Sequence, residues 1–319
     1  MPPAPERERR LVHVPCPLCG ARAARPFAWE RGLRVCTCRD CGLLYVSPRL
    51  STEDLHRLYE DYYHRPGHWR DYLADHALPQ DGRKQAGDAD RLWTRRYQAL
   101  WPAMERALGQ RRPVRALDLG AGQGRWARWL AERGVESWAY EVADNPALAA
   151  ARTHGVHVAI APTPEAARLP GQGFDLVTLW DVIEHLEAPG ETLARVRGLL
   201  ASDGVLFVQT PNARWIRWKV RAARLLPRRL VGELVSPYGI LLPEQHLQYY
   251  TVRTLRRQLR AAGYAPLSWP AIDWSEPGTG RLSRWAYRLA WGQAALVRAC
   301  TRGRVCTNIG LSVLARPSP

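Results

Sequence analysis

Lysine is nearly missing from this chain: among 46 basic residues only Lys84 and Lys219 are not arginine. An arginine-only base in an alanine-rich background reflects coding bias as readily as selection, so the net charge of +16 speaks to solubility and association more than to a specific nucleic-acid partner. Long hydrophobic runs are missing too. No stretch approaches the roughly 18 apolar residues of a spanning helix, and the opening MPPAPERERR has no apolar core of a signal peptide. A cytoplasmic protein is therefore expected. No internal repeat is present, and no low-complexity tract beyond the Pro-rich first five residues. Hydrophobic residues at 46% with charged residues at 24% are the balance of an ordinary globular protein with a sizeable core.

What the chain does contain falls into blocks: a cysteine-rich head at 1–50, a Tyr- and His-rich helical linker or lid at 51–110, and a region of alternating strands and helices over 111–319. The runs VRALDLG, VESWAYE, GVHVAI, FDLVTLWD and GVLFVQT are short, apolar and bounded by glycine or charge, with helical patterns between them. Strands alternating with helices predict an α/β fold, a mostly parallel sheet covered on both faces. Pro211 should end the last of these strands.

In the head, Cys16 and Cys19 (CPLCG) and Cys38 and Cys41 (CRDCG) form two C-x-x-C pairs. That spacing fits a structural four-thiolate zinc ribbon. The glycine after each second cysteine permits the tight turn that aims backbone amides at sulfur. Cys36, Cys300 and Cys306 are left as free thiols.

In LDLGAGQGRWA, Gly120, Gly122 and Gly124 are spaced G-x-G-x-G, and Arg125 stands where a dinucleotide fingerprint requires its third glycine. Asp118, two residues before the loop, would repel a pyrophosphate and attract a ligand bearing an ammonium and a sulfonium, as S-adenosylmethionine does. Glu141, at the end of the next strand, is placed to accept hydrogen bonds from both ribose hydroxyls.

These segments resemble a class I S-adenosylmethionine-dependent methyltransferase: LDLGAGQGRWA its first motif, AYEVADNPALAAAR its second, GFDLVTLWDVIEHLEAP its fourth and LLASDGVLFVQTPN its fifth, with NIGLSVLARP like the closing strand. The resemblance implies a Rossmann-like methyltransferase fold behind the small zinc ribbon. A Cys-rich head followed by GLLYVSPR and YEDYY resembles a bacterial subgroup associated with glycans, lipids or natural products. Where the family often has an acid touching adenine, this chain has AIAPTPEAA, leaving backbone or Thr163 for that contact. By the same resemblance Asp181 is a neighbour of the cofactor. Glu184 and His185 are a base or, as in ubiquinone-type O-methyltransferases, a divalent-metal site at the active site. His246 in PEQHLQYYT is a second candidate catalytic residue. An acidic pair that merely packs its turn is the plainer alternative.

The expected activity is methylation of a hydroxyl on a small molecule, glycan or lipid-linked intermediate. Sugar C-methylation and RNA methylation remain alternatives, as does a non-catalytic binding protein that keeps the fold. Nucleic acid is the weaker partner, since the N-P-P-aromatic and Pro-Cys signatures of base methylation are absent. An insertion at about 213–244 carries Arg214, Arg217, Arg221, Arg224 and Arg228 at helical spacing beside Trp215, Trp218, Ala222 and Leu225. A second stretch repeats this with Arg281, Arg284 and Arg288 beside Leu282, Trp285 and Leu289. Both suit peripheral contact with the anionic inner face of a membrane, a lid over the acceptor, or simple packing on the core.

Overall fold

The computed structural model describes residues 9–64, 87–164, 166–225 and 241–271 and, nearer the C-terminus, 292–294, 296–297, 300–301, 306 and 308–318. Five short strands come first: β1 (Leu11–Val12), β2 (Ala24–Glu30), β3 (Leu33–Cys38), β4 (Leu44–Val46) and β5 (Arg49–Leu50). Helices α1 (Thr52–His64) and α2 (Gly87–Ala107) follow. The alternating region then runs β6 (Arg115–Leu119), α3 (Arg125–Ala131), β7 (Glu136–Glu141), α4 (Pro146–Thr153), β8 (His157–Ile160), β9 (Phe174–Trp180), α5 (Pro189–Leu199) and β10 (Leu200–Pro211). After it come α6 (Ala213–Leu225), β11 (Gln248–Tyr249), α7 (Val252–Ala261), β12 (Tyr264–Ser268) and β13 (Gly310–Pro317).

The five apolar runs of the sequence are β6 to β10. They form a seven-stranded sheet in the order β12-β13-β10-β9-β6-β7-β8, in which β6 to β10 pair in parallel and β13 runs antiparallel to both β10 and β12. This is the Rossmann-like arrangement. Both faces of these strands are largely apolar because alternate residues enter different cores. Leu206 and Val208 pack with Leu193 and Val196 of α5 and Leu255 and Leu259 of α7. Val205 and Phe207 pack with Tyr97, Leu100 and Met104 of α2 and Trp126 and Trp129 of α3. No helix among the described residues is long and apolar enough to cross a membrane.

The head does not stand apart. Its antiparallel sheet has the order β11-β4-β3-β2, so its edge strand β11 comes from residues 248–249. Cys16, Cys36, Cys38, Cys41, Leu43 and Tyr45 share one hydrophobic cluster with Leu117, Val177 and Leu255. Helix α6 lies on this sheet through Ala213, Ile216 and Val220, which pack with Ala28, Val35, Leu44 and Val46. That face is not the Trp stripe read from the sequence. Trp218 is 49% exposed and Leu225 84% exposed, because the smaller Ala, Ile and Val side chains fit the close approach of helix to sheet. The side chain of Ala222, together with Arg228, Arg281, Leu282, Arg284, Trp285, Arg288 and Leu289, lies outside the described residues.

Candidate active site and cysteine cluster

At the carboxyl ends of the parallel strands is a cavity of about 500 Å³, where ligands bind in such sheets. The loop from β6 to α3 forms one wall. Gly120, Gly122 and Gly124 have φ of 75°, 55° and 68°, the left-handed region that favours glycine. A Cβ on Gly120 would also lie 2.6 Å from Val182 Cγ2, and one on Gly124 3.0 Å from Ala151 Cβ. Two side chains hold the loop's peptide groups. Glu141 Oε2 accepts from Gly122 N at 2.6 Å and Oε1 from Val142 N at 2.8 Å. Asn145 donates through Nδ2 to Gly122 O at 2.9 Å while its Oδ1 caps α4. Asn145 was not singled out in the sequence, where it reads as an ordinary N-cap before Pro146.

Asp118 is 3% exposed. The register of β6 against β9 sets it beside Thr178, whose Oγ1 donates to Asp118 Oδ1 at 2.7 Å. Burial raises the carboxyl to about 7 against the pull of that hydrogen bond, and the charge of Glu141 adds to the rise. The cavity wall thus holds a carboxylate in want of a cation.

The other wall comes from the turn after β9. Asp181 has a φ of 51°, strained for a non-glycine residue, and accepts from Gln209 Nε2 at 2.8 Å. Burial pushes it up to about 6. Glu184 is 1% exposed, and its carboxylate faces Thr210 and Asp181 without reaching full hydrogen-bonding geometry. Burial and the charge of Asp181 hold it well above the usual carboxylate range. Glu184, His185 and His246 bring ligating atoms within 4.8 Å of one another, so the structure gathers all three candidates. Among the described residues the cavity wall includes His185 but neither Glu184 nor His246.

His185 Nδ1 lies 3.0 Å from Gln245 O and 3.0 Å from Tyr59 OH. A carbonyl oxygen only accepts, so this contact assigns the proton to Nδ1 and leaves the lone pair on Nε2. Burial lowers the imidazole to about 4, which displaces its titration from the near-neutral range a histidine suggests.

The turn is clamped from below by a residue the sequence did not flag. Gln248 is fully buried and donates through Nε2 to Ile183 O at 2.6 Å and Leu186 O at 2.8 Å. Its backbone N–H and that of Leu247 donate to Glu184 O. Gln248 itself belongs to β11, paired with Tyr45 of the head. The linker supplies further wall: Tyr59 of α1 and Trp93 and Tyr97 of α2, the last with its ring 4.8 Å from that of Trp126. Trp93 and Tyr97 fall with Leu100 and Met104 at helical spacing along α2, but which of these border a cavity is not set by spacing.

The four cysteines converge. Cys16 Sγ lies 3.5 Å from Cys41 Sγ and Cys19 Sγ 3.6 Å from Cys38 Sγ, with no disulfide. Sulfurs around a tetrahedral zinc at 2.3 Å are about 3.8 Å apart. Gly20 and Gly42 take φ of 73° and 80°. Amides of Leu18 and Cys19 point at Cys16, and those of Asp40 and Cys41 at Cys38. Cys36 instead donates to Ser47 O. The donor set, its spacing and its amide partners fit a zinc ion.

Comparison with known proteins gives three findings. Residues 86–268, more than half of the chain, match a family model described as a methyltransferase domain. Curated relatives include ubiquinone biosynthesis O-methyltransferases of Pseudomonas aeruginosa (strain LESB58), 31% identical over 105 residues, 31% of this chain and 44% of that protein, and of Caulobacter sp. (strain K31), 35% identical over 105 residues, 31% of this chain and 41% of that protein. The chain thus spans less than half the length of the curated relatives it matches. Similar solved structures include Burkholderia thailandensis 1,6-didemethyltoxoflavin-N1-methyltransferase with bound 1,6-didemethyltoxoflavin and S-adenosylhomocysteine, with TM-score 0.51 and 18% identity over 93% of this chain and 100% of that one. The plantazolicin methyltransferase BpumL, in complex with a monoazolic desmethylPZN analog and SAH, gives TM-score 0.50 and 12% identity over 84% and 98%.

Proposed function

Because the chain belongs to the methyltransferase domain family, we propose that it transfers the methyl group of S-adenosylmethionine to a hydroxyl of a small molecule, glycan or lipid-linked intermediate. Asp118 faces the cationic end of the cofactor, Glu141 takes the ribose hydroxyls, and Asp181 lies beside the methionine portion. Methyl transfer from a sulfonium is an in-line displacement with an activated leaving group, so alignment is the main demand. A hydroxyl acceptor must in addition lose its proton.

The observation that carries the hydroxyl assignment is the buried carboxylate of Glu184, grouped with His185 and His246. A buried carboxylate with two imidazoles suits a divalent cation, which these three residues would hold. When bound, such a cation acidifies a coordinated hydroxyl. His185 is the member on the cavity wall, and with Nδ1–H fixed on Gln245 O it offers Nε2 to the acceptor's proton or to the cation. Tyr59, Trp93 and Tyr97 shape the acceptor side and exclude water. Zinc on Cys16, Cys19, Cys38 and Cys41 serves structure and stands outside the reaction.

Titration calorimetry with S-adenosylmethionine and S-adenosylhomocysteine tests the cofactor half: binding by the wild type, lost in Asp118→Ala. Equal binding by that variant would remove the assignment. Labelled methyl transfer into cell extract, followed by identification of the methylated atom, tests the acceptor half. A methylated nitrogen or carbon in place of oxygen overturns it.

A further inference from the structure

From the outward face of α6 we infer that this protein docks on an anionic lipid surface, with Trp218 and Leu225 entering the interface and Arg214 and Arg221 on the headgroups. The helix already has a buried side. Ala213, Ile216 and Val220 satisfy its packing on the head sheet, so the second apolar set is not needed to hold it in place. Trp218, 49% exposed, stacks on Trp215 with ring centroids 4.8 Å apart and planes at 21°. Leu225, about two turns further on, is 84% exposed. Scattered exposed apolar residues need no explanation. A stacked tryptophan pair and a leucine on one short helix, flanked by cations, are an arrangement with a matching surface.

The charge around these residues is of one sign. Residues 212–232 contain Arg214, Arg217, Lys219, Arg221, Arg224, Arg228 and Arg229 and no acid. Arg214 and Arg221 are exposed, whereas Arg224 reaches back to Phe27 O on β2. Arg217 extends back to Gly42 O at 3.2 Å, in the turn of the second cysteine pair. Burial, with the charges of Arg25 and Arg221, depresses it below the usual guanidinium range. The head therefore adds positive charge beside the helix.

Both halves of this surface have a counterpart in a bilayer of acidic lipid. Arginine finds phosphate at the headgroups, and tryptophan and leucine find the boundary with the acyl chains. A nucleic-acid backbone would satisfy the arginines and leave Leu225 in water. The lipid surface is the better match for that reason.

Flotation of the full-length, metal-replete protein with phosphatidylcholine vesicles, with and without phosphatidylglycerol, tests the inference. Binding is expected only with phosphatidylglycerol, falling as salt is raised. Arg214→Glu with Arg221→Glu should weaken partitioning about 100-fold. Trp218→Ala with Leu225→Ser should weaken it about tenfold at unchanged charge. Calorimetric binding of S-adenosylhomocysteine by both double variants verifies that they fold, since α6 lies outside the cofactor cavity. No flotation at low salt overturns the inference. So does flotation unaffected by Trp218→Ala with Leu225→Ser, which would leave a diffuse Coulombic attraction. Binding of single-stranded RNA in place of vesicles identifies the other polyanion and likewise overturns it.

Discussion

Asp118 is the residue on which the proposed cofactor assignment rests most heavily. Its raised value in the free protein means that binding a cationic cofactor must first expel, or wait for the loss of, a proton. Affinity for S-adenosylmethionine is therefore expected to rise from pH 6 to 8 and level off above Asp118's value of about 7. Asp118→Asn keeps the shape without the charge. It should bind about 10- to 100-fold more weakly, as befits loss of a charge-assisted contact, and without that pH dependence, both read by calorimetry. Stability follows the same linkage with the opposite preference. The folded apoprotein holds this proton more tightly than the unfolded chain, so stability from Asp118 is greatest near pH 4 and is lost as pH rises through 7. The melting temperature of the wild type relative to Asp118→Asn should fall over that range. Gln248 belongs to the same scale. Gln248→Leu removes the donor to Ile183 O and Leu186 O and leaves two buried carbonyls unpaired. A loss of about 2 kcal/mol or more is expected in urea denaturation, with cofactor affinity unchanged because Gln248 does not border the cavity.

Elements differ in how much local signal they carry. Strands β6 to β10 are written as short, largely apolar runs bounded by glycine or charge, and each could be read without its neighbours. Asp118, Gly120, Gly122, Gly124 and Glu141 were legible for the same reason: their types and offsets along two successive strands encode the loop. Strand β11 has two residues, and its partner β4 lies 200 residues earlier, so no window of sequence contains the pairing. Gln248 was hidden with it. Helix α6 was visible as amphipathic, but its packing side, Ala213, Ile216 and Val220, was not singled out, because tryptophan and leucine outweigh alanine, isoleucine and valine in any count of apolar surface. Helix α2 has the cleaner pattern: Tyr97, Leu100 and Met104 are each under 5% exposed at spacings of three and four. Met104→Ala opens a cavity against Trp126, Val205 and Phe207 and should cost about 2–5 kcal/mol. Trp93→Ala, at the rim, should change stability far less than acceptor selectivity. Denaturant titration of the pair separates the two contributions.

Across the whole molecule the cysteine cluster is joined to the large sheet by a continuous core and by β11. Metal removal should therefore be felt everywhere. A structural zinc site contributes on the order of 10 kcal/mol, so chelation under mild denaturant should shift the single unfolding transition of the complete chain. A separate early transition confined to the head would contradict this. One metal per chain is expected by elemental analysis, unchanged in Cys36→Ser.

The shared sheet also has a history in time. The head leaves the ribosome first, with its cysteines in place to take up metal, but strand β4 keeps an unpaired edge until residues 248–249 have been made. At about 5–20 residues per second that interval is roughly 10–40 s, during which a half-finished sheet is offered to any passing chain. The newborn head is therefore expected to be a client of whatever shields nascent chains, and the final closure of its edge to mark the moment when the turn bearing Glu184 and His185 becomes fixed.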